Sequence, residues 1–596
     1  MRGLHALKMN KNTASSGISL SVNRLNIMLV NKGARDRHQM LHHDNTAPAD
    51  VTALLNKIHA ARGVTSAEAR DYTLTSLISP DRLGGLAEAV DVLYAAFQAK
   101  RRILVVGDFD ADGATSCALA VIVIRAMGHS AIDYIVPNRF TYGYGLTPEI
   151  VEQALTRKPE LIITVDNGIS SLDGVAVAIA AGVQVIVTDH HLPGEQLPAA
   201  TAIVNPNVPG DAFPSKALAG VGVIFYVLLG LRARLRQVTG WSIPNMADYL
   251  DLVALGTVAD VVPLDHNNRI LVKQGLQRMR AGQCRPGILA LLTIAKRDHR
   301  YVQAADLGFA VGPRLNAAGR LDDMSLGIEC LLAEDWQQAQ ALAQQLDSLN
   351  QQRRQIEHTM QTQALAWLAD YTPQTTDMPW GLSLYQPDWH QGVIGILASR
   401  LKERYHRPVI AFAAGTSDTL KGSVRSIPGL HIRDLLDSIA AQQPDLLQKF
   451  GGHAMAAGLV IRAADFARFS MAFDTAVRRV LTADDLQLTL LSDGTVAPAL
   501  LNLHTAQAVQ DAGPWGQGFP EPLFEGEFEV LEQRILSEKH WKMVLGHPAG
   551  DLDAIAFNAV STVPILPQPI KIAYHLDVNR WRDQTRLQLR VEQILI

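Results

Sequence analysis

From about residue 50 the apolar positions fall into short runs with two different periods. "VTALLNKIHAARG" and "LAEAVDVLYAAFQAKRR" place apolar residues every third or fourth position and predict helices. Strands and helices then alternate. "RILVV", "AIDYIV", "ELIITV" and "VQVIV" are β-branched runs. The first pair is separated by a helical stretch, Ala114–Met127, and the last pair by "SLDGVAVAIAAG". Such alternation predicts a parallel sheet covered on both faces. More helical sequence runs to about Leu332. Residues 333–371 then read as one long helix without Gly or Pro, with Leu342, Leu346, Leu349, Ile356 and Met360 in a three- or four-residue rhythm that skips a turn at Arg353.

A second α/β unit follows: strand "GLSLYQ", helix "GVIGILASRLKERY", and strands "PVIAFA" and "LKGSVRS". Beyond about residue 488 the pattern is β-rich, with five strands predicted, and fits a small barrel of the OB kind or a sandwich. The expected division is an extension without fixed structure over 1–45, a catalytic-type α/β domain with N-terminal helices over 46–332, a connecting helix over 333–375, a second α/β domain over 376–485 and an OB-like domain over 486–596. The composition, 48% hydrophobic and 19% charged, supports several cores. The net charge of −4 excludes a generally basic nucleic-acid coat but allows a local basic channel. Three cysteines, Cys117, Cys284 and Cys330, form no CxxC pair, which argues against a disulfide framework or a thiolate zinc site and fits a reducing cytoplasm. No apolar run approaches the length of a membrane span.

The stretch "GDFDADG" changes the picture. Asp108, Asp110 and Asp112 occupy alternate positions directly after "ILVV". In an extended chain they share a face, and two carboxylates roughly 6–7 Å apart repel by about 2–3 kcal/mol. A cation is needed among them. An EF-hand loop is excluded, because its twelfth position, which should be glutamate, is Leu119, and a strand precedes it. The other strands end similarly: "ELIITV" runs into Asp166, and "VQVIVT" into Asp189, His190 and His191. Ligand sites of open α/β sheets lie at these carboxyl ends. Asp260 sits in the otherwise apolar "LVALGTVADVVPL", where a buried carboxylate needs a partner or a metal. This oxygen-rich set with imidazoles suits two divalent ions, Mg²⁺ or Mn²⁺. Two such ions side by side are the arrangement that activates water and stabilises both oxygens of an in-line phosphoryl displacement.

"GDFDADG", "TVDNGIS", "TDHHLP" and "GTVADVVPL", in this order, resemble the DHH phosphoesterase superfamily. "GPRLNAAGRLDD", "GSVRS" and "FGGHAMAAG" are similar to its RecJ branch of bacterial single-strand-specific 5′-to-3′ DNA exonucleases. The resemblance runs from about residue 50 to the C-terminus. It implies a DHH domain, a DHHA1-like second domain and an OB domain. It implies that Asp110 and Asp112 ligate two metals with Asp108 in the same cluster, that Asp166 bridges the ions, and that His190 and Asp260 complete one shell. His191 would face the scissile phosphate, with Asp189 supporting the histidines. Arg139, Arg314, Asn316, Arg320, Ser423 and Arg425 would hold the 5′ phosphate and the strand, and His453 would close the site from the second domain. The implied substrate is single-stranded DNA with a 5′ phosphate, cut by a cytoplasmic monomer to mononucleotides in DNA repair and recombination, with a single-strand-binding protein and a helicase as partners. The family usually has a small residue where Val424 stands, which raises the question of a narrower pocket. Stretches "LRARLRQ" (Arg232, Arg234, Arg236) and "KRDHR" (Lys296–Arg300), with Trp541, Tyr574, Trp581, Arg580 and Arg582, are candidates for the strand's path. A non-catalytic DHH scaffold would lack ligands that are present here. A small-molecule DHH phosphatase would lack the C-terminal hundred-odd residues.

Overall fold

The structure, a computed structural model, describes residues 27–31, 50–138, 144–238, 240–369, 378–416, 418–548, 550–560, 563–582 and 584–595. Its first strand, β1 (Ile27–Asn31), pairs in parallel with the much later segment Leu488–Ser492. These five residues lie inside the extension for which no fixed structure was expected; the rest of 1–45 lies outside the described residues. The apolar run "IMLV" supplies the pairing strand.

The sheet that carries the chemistry comprises β2 (Ile103–Val106), β3 (Ile132–Ile135), β4 (Leu161–Val165), β5 (Gln184–Thr188) and β6 (Ala202–Val204). All pairs are parallel, in the order β3-β2-β4-β5-β6. β2 and β4 are buried along their whole length, as continuous apolar runs in a two-faced parallel sheet should be. The chain turns outward from β2 to β3 and then returns to the other side of β2 for β4. The carboxyl ends of β2 and β4 therefore flank a topological switch point, where such sheets bind ligands. Helices Ala111–Ala126, Gly220–Leu235 and Leu250–Ala259 are apolar on nearly every side and stack on one another over this edge.

The long helix spans Trp336–Ala369. Ala339, Ala343 and Leu346 belong to the first domain's core, while Met360, Ala364 and Leu368 belong to the second's. At the crossing point Asn350, Arg353 and Glu357 are buried and bonded to one another, and Arg400 joins Glu357 at 3.1 Å. The skipped turn at Arg353 is thus the seam between two cores.

The second domain has β7 (Leu382–Tyr385), β8 (Val409–Ala414), β9 (Thr419–Arg425), β10 (Lys449–Gly452) and β11 (Ala456–Arg462), in the order β10-β11-β9-β8-β7. β12 (Leu488–Ser492) leads to a closed barrel of β13 (Phe524–Leu536), β14 (His540–Gly546), β15 (Leu552–Ala556), β16 (Ile570–Trp581) and β17 (Gln584–Leu595). Five strands closed in this way are the OB architecture. The N-terminal helix Val51–Ala60 packs against this part of the chain, and Arg62 forms a buried ion pair with Asp493 at 2.8 Å. No helix among the described residues is long and apolar enough to cross a membrane.

Candidate active site

After β2 the chain turns into helix Ala111–Ala126. Asp110 is its N-cap, accepting from the backbone N–H groups of Asp112 (2.9 Å) and Gly113 (3.0 Å). Asp112 is buried, and its two oxygens accept from Gly220 N (2.6 Å) and Val221 N (3.0 Å) at the start of helix Gly220–Leu235. Positive helix ends thus hold carboxylates that otherwise repel. After β4, Asp166 takes a left-handed backbone with φ 63°, and Gly168 follows at φ 113°. This sharp turn is bolted to β2 by Asn167, whose amide donates to the Val106 carbonyl (3.1 Å) and to that of Val165 (2.9 Å).

After β5, Asp189 organises the histidines. Its Oδ1 accepts from His190 N (2.7 Å) and contacts His191 Nδ1 (2.8 Å), while its Oδ2 accepts from Ile169 N (2.9 Å). The fifth strand also contributes: Asn205 and Asn207, just past β6, donate to the carbonyls of His191 (2.9 Å) and His190 (2.6 Å). His190 Nε2 lies 3.1 Å from Asp166 Oδ1 and 3.5 Å from Asp260 Oδ2, where Asp260 ends the buried helix Leu250–Ala259.

Three ligand groups form here: Asp108 with Asp110 and Asp166; Asp112 with His190 and Asp260; and Asp166 with His190 and His191. In each, the donor atoms lie within 4.8 Å of one another. Asp166 Oδ1 and His190 Nε2 are buried without a hydrogen bond, and a cation between them would satisfy both. Burial and the neighbouring carboxylates of Asp260 and Asp110 push Asp112 far above its ordinary value. Burial with Asp112 and Asp110 does the same to Asp166. Asp260 is raised to about 7 by burial and then by Asp110. The donor set fits two hard divalent ions, which remove all three costs together. Burial and the adjacent His191 lower His190 to about 4, so it is a neutral ligand at physiological pH. Burial pulls His191 down, but its hydrogen bond to Asp189 and that group's charge outweigh this and raise it to about 9. Burial likewise pushes Asp189 up, yet the His191 contact brings it below its ordinary value.

The metal-free cluster has a stability signature. Groups held above their ordinary values bind more protons folded than unfolded, so stability falls as pH rises through their folded values. Asp260 contributes this loss up to about pH 7 and His191 between its ordinary value and about 9. His190, being lowered, acts oppositely but only below its ordinary value of 6.5. In EDTA the melting temperature is therefore expected to fall between pH 6.5 and 9. Mn²⁺ should raise it and flatten the slope, as differential scanning calorimetry would record.

From the second domain, His453 follows β10 and its ring lies 6.4 Å from that of His191, so the two domains face each other across the site. Ser423 and Arg425 project from one face of β9 and touch each other at 3.2 Å. A Cβ on Gly395 would sit 2.9 Å from Ser423 Oγ and 3.0 Å from Arg425 Nη2. On the other side of the same turn, Arg320 donates to the Gly392 carbonyl at 3.2 Å. Arg320, Ser423 and Arg425 thus converge on Gly392–Gly395, at the start of helix Ile394–Tyr405. Val424 points the other way and is wholly buried in the second core, so it does not narrow that pocket.

Arg314 and Asn316 each have partners within the protein. Arg314 is buried and turned to the long helix, holding Asp347 Oδ1 at 2.8 Å and the Ala310 carbonyl at 2.6 Å. Asn316 accepts from Ala111 N at 2.8 Å, supporting the acidic turn. Arg139 lies outside the described residues. Trp541 and Tyr574 are in the barrel core, with Trp541 Nε1 donating to the Val563 carbonyl at 2.8 Å, whereas Trp581 is exposed beside Arg582. Arg232 to Arg236 end the helix whose start holds Asp112, about 18–24 Å from the acids. Arg232 there binds the Pro244 carbonyl, and Arg300 pairs with Asp298. Gly220, Asn167, Asn205, Asn207 and Tyr144, whose hydroxyl is 3.2 Å from His191 Nδ1, were missed from the sequence. Asn205 and Asn207, in "VNPNVPG", follow a strand just as the acids do.

Known proteins resemble this chain along most of its length. The DHH family, N-terminal domain, matches residues 102–257, the DHHA1 domain 379–479 and the RecJ OB domain 492–593. The chain is 53% identical over 565 residues to the single-stranded-DNA-specific exonuclease RecJ of Escherichia coli (strain K12), spanning 92% of this chain and 97% of that one. It is 34% identical over 506 residues to the protein of the same name from Thermus thermophilus, spanning 84% and 69%. The crystal structure of RecJ in complex with Mn²⁺ from Thermus thermophilus superposes with a TM-score of 0.77 at 29% identity, over 96% of this chain and 80% of that one. A crystal structure of exonuclease RecJ bound to manganese covers 68% and 98%, with a TM-score of 0.57 at 36% identity.

Proposed function

The chain belongs to the RecJ family, and from that premise we propose that it is a single-stranded-DNA-specific 5′-to-3′ exonuclease that releases 5′ mononucleotides. The observation that carries the reading is the set of three adjoining ligand groups at the sheet's switch point. Asp166 takes part in two of them and is assigned the bridging position. Asp108 and Asp110 would complete one site, and Asp112, His190 and Asp260 the other. When bound, two divalent cations supply the acidity that activates a water and the charge that offsets the phosphoryl oxygens.

The chain's own residues do the rest. His191, oriented by Asp189, would face the scissile phosphate. Asp189 is buried and hydrogen-bonded on both oxygens, so it orients the imidazole without itself taking the proton. Arg320, Ser423 and Arg425 hold the terminal phosphate at the start of helix Ile394–Tyr405, where helix polarity adds to their charge. His453 closes over His191 from the second domain.

The deciding assay compares 5′-labelled single-stranded and duplex DNA with and without EDTA. Release of mononucleotides only from the single strand, and only with Mn²⁺ or Mg²⁺, is the expected result; equal digestion of duplex would reject it. Arg425→Ala should lower kcat/KM on 5′-phosphorylated ends roughly ten- to hundredfold while 5′-hydroxyl ends change little. Equal loss on both ends would make Arg425 a general backbone contact. We also place the protein in the cytoplasm, acting as a monomer with a single-strand-binding protein and a helicase in DNA repair and recombination. Sedimentation and co-purification test those points.

A further inference from the structure

We propose that Phe309 is a positioning residue: a platform on which a base of the incoming strand stacks, a few nucleotides from the metal centre. The inference rests on the exonuclease reading above. Phe309 is 81% exposed, and no tryptophan, tyrosine or other phenylalanine among the described residues is as exposed. It belongs to a π-helical turn, Leu307–Val311, inserted directly before helix Gly312–Leu321. Such insertions break the regular ladder and recur at functional positions. Here Leu307, Ala310 and Val311 face the core while Phe309 is turned out. At that exposure most of its ring is open to solvent.

Its surroundings say what would cover it. Phe309 lines two depressions at once. One is a groove of about 470 Å³ lined by Asn316, Arg320, Arg354 and Arg400, with Glu357, the partner of Arg400, the one carboxylate among them. The other is a largely apolar cavity of about 390 Å³ that includes Val261 and Trp515. A run of cations next to an exposed ring is the chemistry that binds a single strand, with phosphates in the basic groove and a base on the aromatic face. The placement agrees. Phe309 and Asn316 line the same groove and are seven residues apart in the chain, about 10 Å along the axis. Asn316 holds the first turn of the acidic loop through Ala111 N. On this proposal the strand, its terminal phosphate held by Arg320, Ser423 and Arg425, runs on past Phe309, beyond the length of a dinucleotide.

The test uses the full-length protein in four forms: wild type, Phe309→Ala, Phe309→Leu and Phe309→Trp. Affinity for a long single strand carrying 2-aminopurine is read by fluorescence in EDTA, and kcat and KM are read separately with Mn²⁺. Phe309→Ala should weaken binding and raise KM about tenfold with kcat unchanged. Phe309→Leu should be as weak, and Phe309→Trp should match wild type. Turnover of a 5′-phosphorylated dinucleotide should be equal in all four. Wild-type affinity in Phe309→Ala, or full recovery by Phe309→Leu, would overturn the stacking role, as would a parallel loss on the dinucleotide. Failure of the wild type to degrade single-stranded DNA would instead overturn the exonuclease reading, and the two failures are distinct.

Discussion

Asp166→Ala should lower exonuclease turnover at least about a thousandfold, equivalent to about 4 kcal/mol of transition-state stabilisation, while affinity for single-stranded DNA changes little. Two of the three ligand groups lose a member in this variant, including the one that joins the acids after β2 to the turn after β4. The same substitution should raise the melting temperature of the metal-free protein. Asp166 is buried among Asp112, Asp110 and Asp260, which all oppose its charge, so removing it relieves the repulsion. Higher stability in EDTA, no response to Mn²⁺ and no turnover form one combined expectation. Calorimetry and a single-turnover assay read it. A variant that still responds to Mn²⁺ and cuts DNA would sink the bridging assignment.

Gly220→Ala is expected to cost roughly a hundredfold in activity and about 1–3 kcal/mol in stability, although residue 220 carries no reactive group. A Cβ there would lie 2.5 Å from the Asp166 Cβ, 2.7 Å from its Oδ1 and 2.8 Å from its Cα. The backbone of Asp166 cannot retreat, because its N–H is held by the Thr188 carbonyl at 3.0 Å and the turn is pinned through Asn167. The helix start must move instead, and it carries the two N–H groups that bind Asp112. Higher Mn²⁺ should recover part of the Gly220→Ala activity, since its ligands are displaced rather than removed. None should return in Asp166→Ala. Metal titrations of both variants make the comparison.

The acids and imidazoles were legible because a parallel sheet leaves a plain trace: continuous apolar runs, each ending in a residue that has no place in a core. Asp108 to Asp112, Asp166 and Asp189 to His191 all follow such runs, and the structure gathers them at one edge. The same logic, carried to the fifth strand, reaches Asn205 and Asn207. The period of two also fixes Val424, because Ser423 and Arg425 share the face it cannot use. Other features depend on which surfaces meet. Arg314 and Arg320 lie on one short helix in one motif, yet one is committed to Asp347 on the long helix and the other reaches Gly392. Trp541 and Trp581 are both tryptophans in β-strands, but the first is enclosed by the barrel and the second stands exposed at the end of β16. Gly220 is one glycine among 44, and its importance is a distance across 54 residues of chain.

The ligands are contributed between Asp108 and Asp260, with His453 arriving later still from the second domain. No short piece of the polypeptide holds a working set. During synthesis the ligand set stays incomplete until Asp260 has left the ribosome and the long-range strand pairing has formed. The set therefore depends on the whole parallel sheet and on the buried helix that ends at Asp260, and not on any one motif.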